Sequence, residues 1–551
     1  MQGQMQSYPL TLVHLFERAE RLFADKGIAT ASPAGLQRTT YGEWAERTRR
    51  LGGVLDELGV SDDGRVGTFA WNTARHLELY FAAPCSGRVL HTLNIRLFPE
   101  QLAFVANHGE DEVIFADRSL LKLLWPLMDQ LESVRHVVVM DDGDGEIPDD
   151  PRIRDYEELL AAAQPVDFHV DDENRAAAMC YTSGTTGNPK GVVYSHRSSV
   201  LHSMSTMFVD TLAVSEADVV LPVVPMFHAN AWGLAHASVL AGASLVLPGP
   251  DLSPGAIAGL MESERVTLAA GVPTIWMGVL DELDGRDLSA LNRILCGGSA
   301  VPKSLSEAYR EKTGLPILHA WGMTETSPLG SVCRVKSTLR DRSEDEQADI
   351  RATQGIITPL VEVRITDADS GEALPWDGEA RGELQCAGPW IAAGYYGGDG
   401  TEQFTEDGWL RTGDVAVITP EGYIKLVDRT KDLVKSGGEW ISSVELENEI
   451  MAHPKVREAA VIGIQDEKWG ERPLACVVAE DGEELGEDEI RDFLDGRVAK
   501  WWIPESFAFI DEVPKTSVGK FSKKTLRETF QGYVLPTTEG PPTAGDNDRA
   551  G

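Results

Sequence analysis

Residues 181–191, with the sequence YTSGTTGNPKG, contain the densest group of side chains in this chain that could bind phosphate. The hydroxyl side chains and backbone N–H groups are donors, the glycines let the backbone approach an anion closely, and Lys190 adds a positive charge. The spacing differs from that of a Walker A loop, because no Gly-Lys-Ser/Thr sequence follows the first glycine at the required distance. A polar surface loop between two strands is the alternative interpretation, and composition alone leaves it open.

Three later segments carry residues suited to the same chemistry. Residues 319–326 (HAWGMTET) place Thr324 beside Glu325, residues 408–414 (GWLRTGD) end in Asp414, and residues 514–520 (PKTSVGK) end in Lys520. A carboxylate can accept hydrogen bonds from two neighbouring hydroxyl groups, and Mg²⁺ prefers oxygen ligands beside nucleotide phosphates. Taken alone, each segment also has a plainer explanation: a helix cap with an exposed acid, a turn aspartate, or a surface lysine.

Together and in this order, the four segments resemble the motifs of the adenylate-forming superfamily, which includes acyl-CoA synthetases, luciferases and the adenylation domains of peptide synthetases. Residues 181–191 resemble its phosphate loop almost letter for letter, and the later segments resemble its YGxTE, GW-RTGD and PKTxxGK motifs. The resemblance implies that the chain uses ATP, Mg²⁺ and coenzyme A. It also implies two steps, in which a carboxylate attacks the α-phosphorus of ATP to form an acyl-adenylate and a thiol then displaces AMP.

The same resemblance assigns roles to individual residues. Lys520 would bridge the substrate carboxylate and the α-phosphate, Thr182 and Glu325 would hold Mg²⁺, and Asp414 with Arg429 would bind the ribose. The implied catalytic residues are Lys520, Thr324, Glu325, Lys190 and His228. The residues implied to bind the nucleotide or CoA are Thr182, Ser183, Gly184, Thr185, Thr186, Gly187, Gly298, Ser299, His319, Ala320, Trp321, Gly322, Thr324, Asp414, Arg429, Lys431, Lys435 and Trp440.

Residues 225–233 (PMFHANAWG) bear on the choice of acid. A lone histidine among apolar residues is by default a core residue, but the histidine of this motif borders the carboxylate site in the family. The Ala-Asn-Ala-Trp pattern resembles medium- and long-chain fatty acyl-CoA synthetases, in which the residue matching Trp232 gates the acyl tunnel; plain core packing is the alternative. The implied substrate contacts are His228, Ala229, Trp232 and Gly298.

Several alternatives stay open beside a medium- or long-chain fatty acid–CoA ligase. Short-acid ligases of the same branch, notably those for methylmercaptopropionate, also carry HAWGMTE, and a luciferase-like oxygenase shares every motif. A peptide-synthetase domain is disfavoured, because its pocket normally begins with an aspartate for the substrate amine, whereas the region around His228 is apolar, and we expect no carrier domain after Lys520. A non-enzymatic relative is disfavoured because Lys190, Glu325, Asp414 and Lys520 are all intact. One departure from the family is Trp321, which stands where a tyrosine flanks the adenine in most relatives.

The elements that must position these residues form an α/β pattern. Apolar runs at 218–224, 244–247 and 293–296 alternate with helical patterns and predict a mostly parallel sheet buried on both faces. Beyond about residue 355 the signals become antiparallel, as in the runs that flank Pro420. We predict a large N-terminal domain, 1–428, of mostly parallel α/β subdomains plus a β-rich subdomain. A small mobile α+β C-terminal domain, 429–533, would carry the catalytic lysine and rotate about Lys431 or Asp432, and 534–551 would be a disordered tail.

Composition limits the partners. The 551 residues include 50 Lys+Arg and 87 Asp+Glu, a net charge of −37, which disfavours nucleic acid and anionic membranes and requires a locally positive ATP site. The acidity also resembles adaptation to high salt, which we treat as a hypothesis. The six cysteines form no CxxC pair, and no apolar run could span a bilayer. We therefore expect a cytoplasmic protein whose partners are fatty acid, ATP and CoA, with a homodimer as one expected state.

Overall fold

The computed structural model describes residues 1–182, 188–368, 370–429, 431–436, 439–466, 468–516 and 521–533. Within these ranges the strands form three β-sheets, of thirteen, seven and five strands. The five-stranded sheet begins at Val434 and belongs to the small C-terminal part of the chain. In the described part of the chain, no helix is both long and apolar enough to cross a membrane. The predicted tail, 534–551, lies outside the described residues.

The seven-stranded sheet positions the phosphate-loop segment. Its strands pair in parallel except at one edge, where Ala176–Tyr181 runs antiparallel to Gly191–Ser195 and Tyr181 lies opposite Gly191. The loop segment therefore connects two paired strands, whose ladder fixes both of its ends. In spatial order the strands are Ile153–Asp155, His136–Met140, Asp111–Asp117, Arg65–Phe69, Val89–Thr92, Ala176–Tyr181 and Gly191–Ser195.

The thirteen-stranded sheet has a mostly parallel half and an antiparallel half, which meet at Leu318–Gly322. This strand pairs in parallel with Arg293–Cys296 and antiparallel with Leu329–Val332. The predicted parallel subdomains and β-rich subdomain are thus confirmed. In spatial order the strands are Glu362–Thr366, Gly382–Ala387, Leu410–Ile418, Tyr423–Arg429, Gly355–Ile357, Leu329–Val332, Leu318–Gly322, Arg293–Cys296, Leu268–Gly271, Val219–Pro222, Ser244–Leu247, Gly27–Ser32 and Gly35–Thr40.

The small C-terminal part is α+β, as predicted. Val456–Asp466 and Gly470–Ala479 form its central antiparallel pair, and Ser506–Phe509 adds to the second of these in parallel. The hairpin of Val434–Ser436 and Glu439–Ile441 completes the sheet. Asp428, on the last strand of the large part, accepts a hydrogen bond of 2.7 Å from the Ser443 N–H of the small part. The domain limits at 428 and 533 stay a prediction.

The helices cover the sheets, and several of them begin at a residue whose side chain caps the first turn. Thr40 starts Tyr41–Glu57 with a capping box, in which Glu43 N–H donates to the Thr40 hydroxyl and Glu43 accepts from Thr40 N–H. The α-helices are Leu12–Leu22, Tyr41–Glu57, Ala74–Cys85, Pro99–His108, Leu121–Leu124, Tyr156–Ala162, His196–Met207, Leu234–Ala241, Pro254–Ser263, Pro273–Asp281, Lys303–Thr313, Glu344–Arg351, Ser443–Met451, Glu487–Leu494 and Lys523–Thr529.

Candidate active site

A cavity of about 660 Å³ opens where the phosphate-loop hairpin meets the ends of the parallel strands of the larger sheet. Ends of parallel strands are the usual location of ligand sites in α/β folds. The cavity gathers many of the predicted residues from distant parts of the chain. Those that line it are Thr182, Lys190, His228, Ala229, Trp232, Gly298, Ala320, Trp321, Gly322, Thr324, Glu325 and Arg429.

The phosphate-loop segment is closed at its base. Thr182 N–H donates to the carbonyl of Lys190 at 2.9 Å, and Lys190 N–H donates to Thr182 Oγ1 at 3.1 Å. The ammonium of Lys190 lies 3.3 Å from Glu402 Oε1 and 5.0 Å from the ring centroid of Tyr395. Lys190 thus has a carboxylate partner that an incoming phosphate would replace. The predicted loop residues Ser183, Gly184, Thr185, Thr186 and Gly187 lie outside the described residues, as does Lys520.

Thr182 and Glu325 supply oxygen atoms at the same end of the cavity. Glu325 lies on the short 3₁₀ turn Thr324–Thr326 and is buried, and its Oε1 accepts a hydrogen bond of 2.6 Å from the Tyr395 hydroxyl. Burial raises the pKa of that hydroxyl further above its ordinary value, so it remains a donor. Among the described residues no cluster of three or more His, Cys, Asp or Glu could enclose a metal. The donor set fits Mg²⁺, which takes few protein oxygens and completes its shell with phosphates and water.

Asp414 lies directly behind the cavity wall. Its Oδ2 accepts a hydrogen bond of 3.0 Å from the indole N–H of Trp321, and Arg429 Nε lies 2.5 Å from its Oδ1. Asp414 and Arg429 face each other on adjacent antiparallel strands. Trp321 fits because Gly330 lies beneath it: a Cβ atom at position 330 would stand 2.5 Å from Trp321 Cζ3. The Trp321 contact with Asp414 joins two predicted residues and was missed by sequence reasoning.

Apolar side chains also line the cavity. Leu212, Leu295 and Leu329 line it together with Trp232, and none of the three leucines was predicted. Each comes from a different segment of the chain, and no local sequence pattern marks it as a site residue. His228 lines the same cavity. A cavity lined by both apolar and polar side chains can hold an aliphatic group while its carboxylate contacts the polar side chains.

The backbone that carries Trp232 has an uncommon conformation. Ala229, Asn230, Ala231 and Trp232 have φ values of 43°, 51°, 50° and 56°, and Gly233 follows at 73°. These residues form one turn of left-handed backbone, Ala229–Trp232, which costs about 1–2 kcal/mol for each L-residue other than glycine. Gly233 is required, because a Cβ there would lie 2.5 Å from the His202 ring. Such strain persists only where the surrounding structure enforces it, and it occurs most often at functional sites.

Some predicted residues stand apart from the cavity, and their roles stay predictions. Lys435 and Trp440 face each other across the small-domain hairpin, with the ammonium 4.3 Å from the indole centroid. His319 is buried, and burial lowers its pKa to about 4, so it is neutral. Ser299 is exposed. Burial lowers the pKa of Lys431, at the predicted hinge, below the ordinary value of a lysine. Tyr395 and Glu402 are site residues that the sequence did not indicate.

Comparisons with known proteins agree with this geometry. Residues 16–396 match the family described as AMP-binding enzyme, and residues 445–520 match the AMP-binding enzyme C-terminal domain. The chain is 47% identical over 548 residues to a long-chain-fatty-acid–CoA ligase of Thermus thermophilus, covering 97% of this chain and 99% of the relative. It is 45% identical over 537 residues to a 3-methylmercaptopropionyl-CoA ligase of Ruegeria lacuscaerulensis, and the match covers 96% of this chain and 99% of the relative. The fold is similar to that of ATP-bound MatB from Rhodopseudomonas palustris, with a TM-score of 0.81 and 27% sequence identity. The match covers 94% of this chain and 99% of the MatB chain.

Proposed function

We propose that this chain, which belongs to the AMP-binding enzyme family and is an AMP-forming acid–thiol ligase, joins a medium- or long-chain fatty acid to CoA through an acyl-adenylate. The observation that carries the proposal is that one cavity is lined by both polar and apolar side chains. Thr182, Lys190 and Glu325 are suited to a nucleotide triphosphate, whereas the leucines and Trp232 are suited to an aliphatic chain.

The first half-reaction forms the bond between a carboxylate oxygen and the α-phosphorus of ATP and breaks the bond from that phosphorus to the bridging oxygen, so pyrophosphate leaves. Thr182 and Glu325 would hold Mg²⁺, which when bound supplies positive charge beside the phosphates. Lys190 would exchange Glu402 for a phosphate oxygen and stabilise the charge that develops there. The resemblance assigns Lys520 the bridge between the carboxylate and the α-phosphate.

The nucleoside would be held by the side of the cavity that contains Trp321. Asp414 would accept hydrogen bonds from the ribose hydroxyls, and Arg429, which lines the cavity and pairs with Asp414, would hold that carboxylate from the solvent side.

In the second half-reaction the CoA sulfur forms a bond to the acyl carbon, AMP leaves with the electron pair, and the thiol proton passes to solvent. His228, which lines the cavity, would border the acyl carbon.

A short acid is the second candidate, and one observation favours it. Trp232 lies beside Gly297 in the cavity lining, where an added Cβ would lie 3.5 Å from the indole Cη2. A long chain that extends past this contact would require Trp232 to move, whereas a short thioether acid such as 3-methylmercaptopropionate would not. The identity of 45% to a 3-methylmercaptopropionyl-CoA ligase supports the same candidate.

The test measures AMP release with ATP, Mg²⁺ and CoA against straight-chain acids from acetate to palmitate, plus methylmercaptopropionate, at low and molar salt. A CoA-dependent optimum at medium or long chains supports the proposal, and a preference for the short sulfur acid supports the second candidate. AMP release that is indifferent to CoA would overturn both. Lys520→Ala provides the control for chemistry: it should block adenylation yet spare thioester formation from supplied acyl-adenylate.

A further inference from the structure

The left-handed turn Ala229–Trp232 is tied to the body of the protein by side chains that the proposed reaction does not use. The Cys180 thiol donates a hydrogen bond to Asn230 Oδ1 at 3.1 Å, and Thr92 Oγ1 lies 3.2 Å from the same sulfur. All three residues are buried. Because the thiol has one hydrogen and gives it to Asn230, the Thr92 hydroxyl is the donor in the second contact.

The residue type at position 230 explains why the hydrogen bond from Cys180 is made there. Asparagine adopts left-handed backbone conformations more readily than most other residues with a side chain, whereas alanine and tryptophan are not stabilised in that conformation. Asn230 therefore combines tolerance of the conformation with a side-chain anchor, while Ala229, Ala231 and Trp232 depend on their neighbours to stay in it. Burial raises the pKa of Cys180 to about 11, so the donor is present at neutral pH.

The end of the turn is fixed separately. The ring of His202 lies against Gly233 and leaves no room for a side chain at that position. Its Nε2 accepts a hydrogen bond of 3.1 Å from the N–H of Leu329, one of the leucines that line the cavity. Burial lowers the pKa of His202 to about 3, which keeps this nitrogen an acceptor. The turn is thus held at its middle by Asn230 and at its end by Gly233.

The turn contributes directly to the wall of the cavity. Trp232, at the end of the turn, and His228, immediately before it, both line the cavity. Cys180 lies two residues before Thr182, on the strand Ala176–Tyr181 that leads into the phosphate-loop segment. Loss of the hydrogen bond between Cys180 and Asn230 would therefore move the side chains of Trp232 and His228. Asp414 and Arg429, the proposed ribose contacts, would stay in place.

We propose that Asn230 and Cys180 are positioning residues that hold the strained turn and thereby decide which acyl chain length the cavity accepts. This inference rests on the proposed function, because it requires an acyl group to lie in the cavity beside Trp232. It adds two residues that act through Trp232 and His228 without touching the substrate.

The test uses the full chain and non-hydrolysable acyl sulfamoyladenosines carrying butanoyl, octanoyl or dodecanoyl groups, with AMP as the probe that lacks an acyl group. Calorimetry gives a dissociation constant for each. Cys180→Ala should weaken the best-bound acyl analogue by about three- to tenfold, the effect of losing one weak hydrogen bond, and should change the order of preference among the three. Its affinity for AMP should equal that of the wild type.

Three further variants separate positioning from general loss of stability. Cys180→Ser keeps a donor at the same place and should restore the wild-type order. Cys85→Ala removes a buried thiol elsewhere, on the helix Ala74–Cys85, and should leave the order unchanged. Asn230→Gly removes the acceptor while relieving backbone strain, so it should fold well and still change the order.

The outcomes distinguish this inference from the function on which it rests. If the wild type binds no acyl analogue more tightly than AMP, the proposed function is overturned and the inference with it. If the wild type does prefer an acyl analogue but Cys180→Ala and Asn230→Gly keep its order and affinities, the inference alone is wrong. Equal weakening of AMP and of every acyl analogue would also overturn it, because it would indicate general damage.

Discussion

Replacing Trp321 with phenylalanine tests whether its indole N–H orients the carboxylate of Asp414. The N–H lies 3.0 Å from Asp414 Oδ2, and the Asp414 side chain is only 3% exposed, so water cannot replace the lost donor. A hydrogen bond to a charged group contributes about 1.5–3 kcal/mol. Because Arg429 still pairs with the other oxygen, we expect the lower value, which corresponds to about tenfold weaker nucleotide binding.

The assay is calorimetric binding of AMP, 2′-deoxy-AMP and 3′-deoxy-AMP to the Trp321→Phe variant. If Asp414 binds the ribose, the wild type should discriminate against both deoxy compounds, and the variant should discriminate less because the carboxylate is no longer held. Trp376→Phe is the matched control, since Trp376 is 43% exposed and lies outside the cavity lining. Thermal unfolding should show both variants folded.

Two results would refute this reasoning. If Trp321→Phe binds AMP with the wild-type affinity, the indole N–H does not orient Asp414. If it loses affinity equally for AMP and both deoxy compounds, the loss comes from the aromatic surface beside the base and not from the ribose contact. A further variant, Gly330→Ala, should reproduce the loss of discrimination, because the added methyl group would displace the Trp321 ring.

Three other predictions follow from single contacts. Glu402→Gln should tighten ATP binding by about two- to fivefold at low salt, because it frees Lys190 from an exposed ion pair, and calorimetry measures this. Tyr395→Phe should raise the half-saturating Mg²⁺ concentration about tenfold, because it removes the hydrogen bond that orients Glu325, and a Mg²⁺ titration of AMP release checks it. Asp117→Asn should reduce the fall in melting temperature between pH 5 and pH 8. Burial raises the pKa of Asp117 to about 8, above the unfolded value of about 3.9, so the wild type loses this proton-linked stability as pH rises through that interval.

Each of these changes has a control within the chain. Glu406→Gln removes an exposed acid near Glu402 and should leave ATP affinity unchanged. Tyr396→Phe alters the neighbouring hydroxyl, which lies 3.4 Å from Glu110, and should leave the Mg²⁺ requirement unchanged. A melting temperature of Asp117→Asn that depends on pH as steeply as that of the wild type would contradict the assignment of a buried protonated carboxyl.

Local patterns in the sequence were sufficient to predict the fold class, whereas the binding motifs were identified by their resemblance to the adenylate-forming superfamily. Apolar runs between helical segments predicted the parallel half of the larger sheet, and the turn at Pro420 predicted the hairpin of Leu410–Ile418 and Tyr423–Arg429, which the structure confirms. Thr324 with Glu325 could be singled out because their segment, in its order after the phosphate-loop segment, resembles the YGxTE motif of that superfamily. These features depend on local residue order, hydrophobic periodicity and turn chemistry, each of which involves residues that are close together in the sequence.

The tertiary structure decided what lies beside each motif. Trp321 and Asp414 are 93 residues apart, yet they share a hydrogen bond, because their strands belong to the same sheet. Leu212, Tyr395 and Glu402 reach the cavity from segments with no motif of their own. The left-handed turn Ala229–Trp232 runs against the intrinsic preference of every residue in it except Asn230, and contacts from Cys180 and His202, distant in the sequence, help to sustain it. Local preferences determined the elements and the motifs, whereas the contacts between distant segments determined how the cavity is closed.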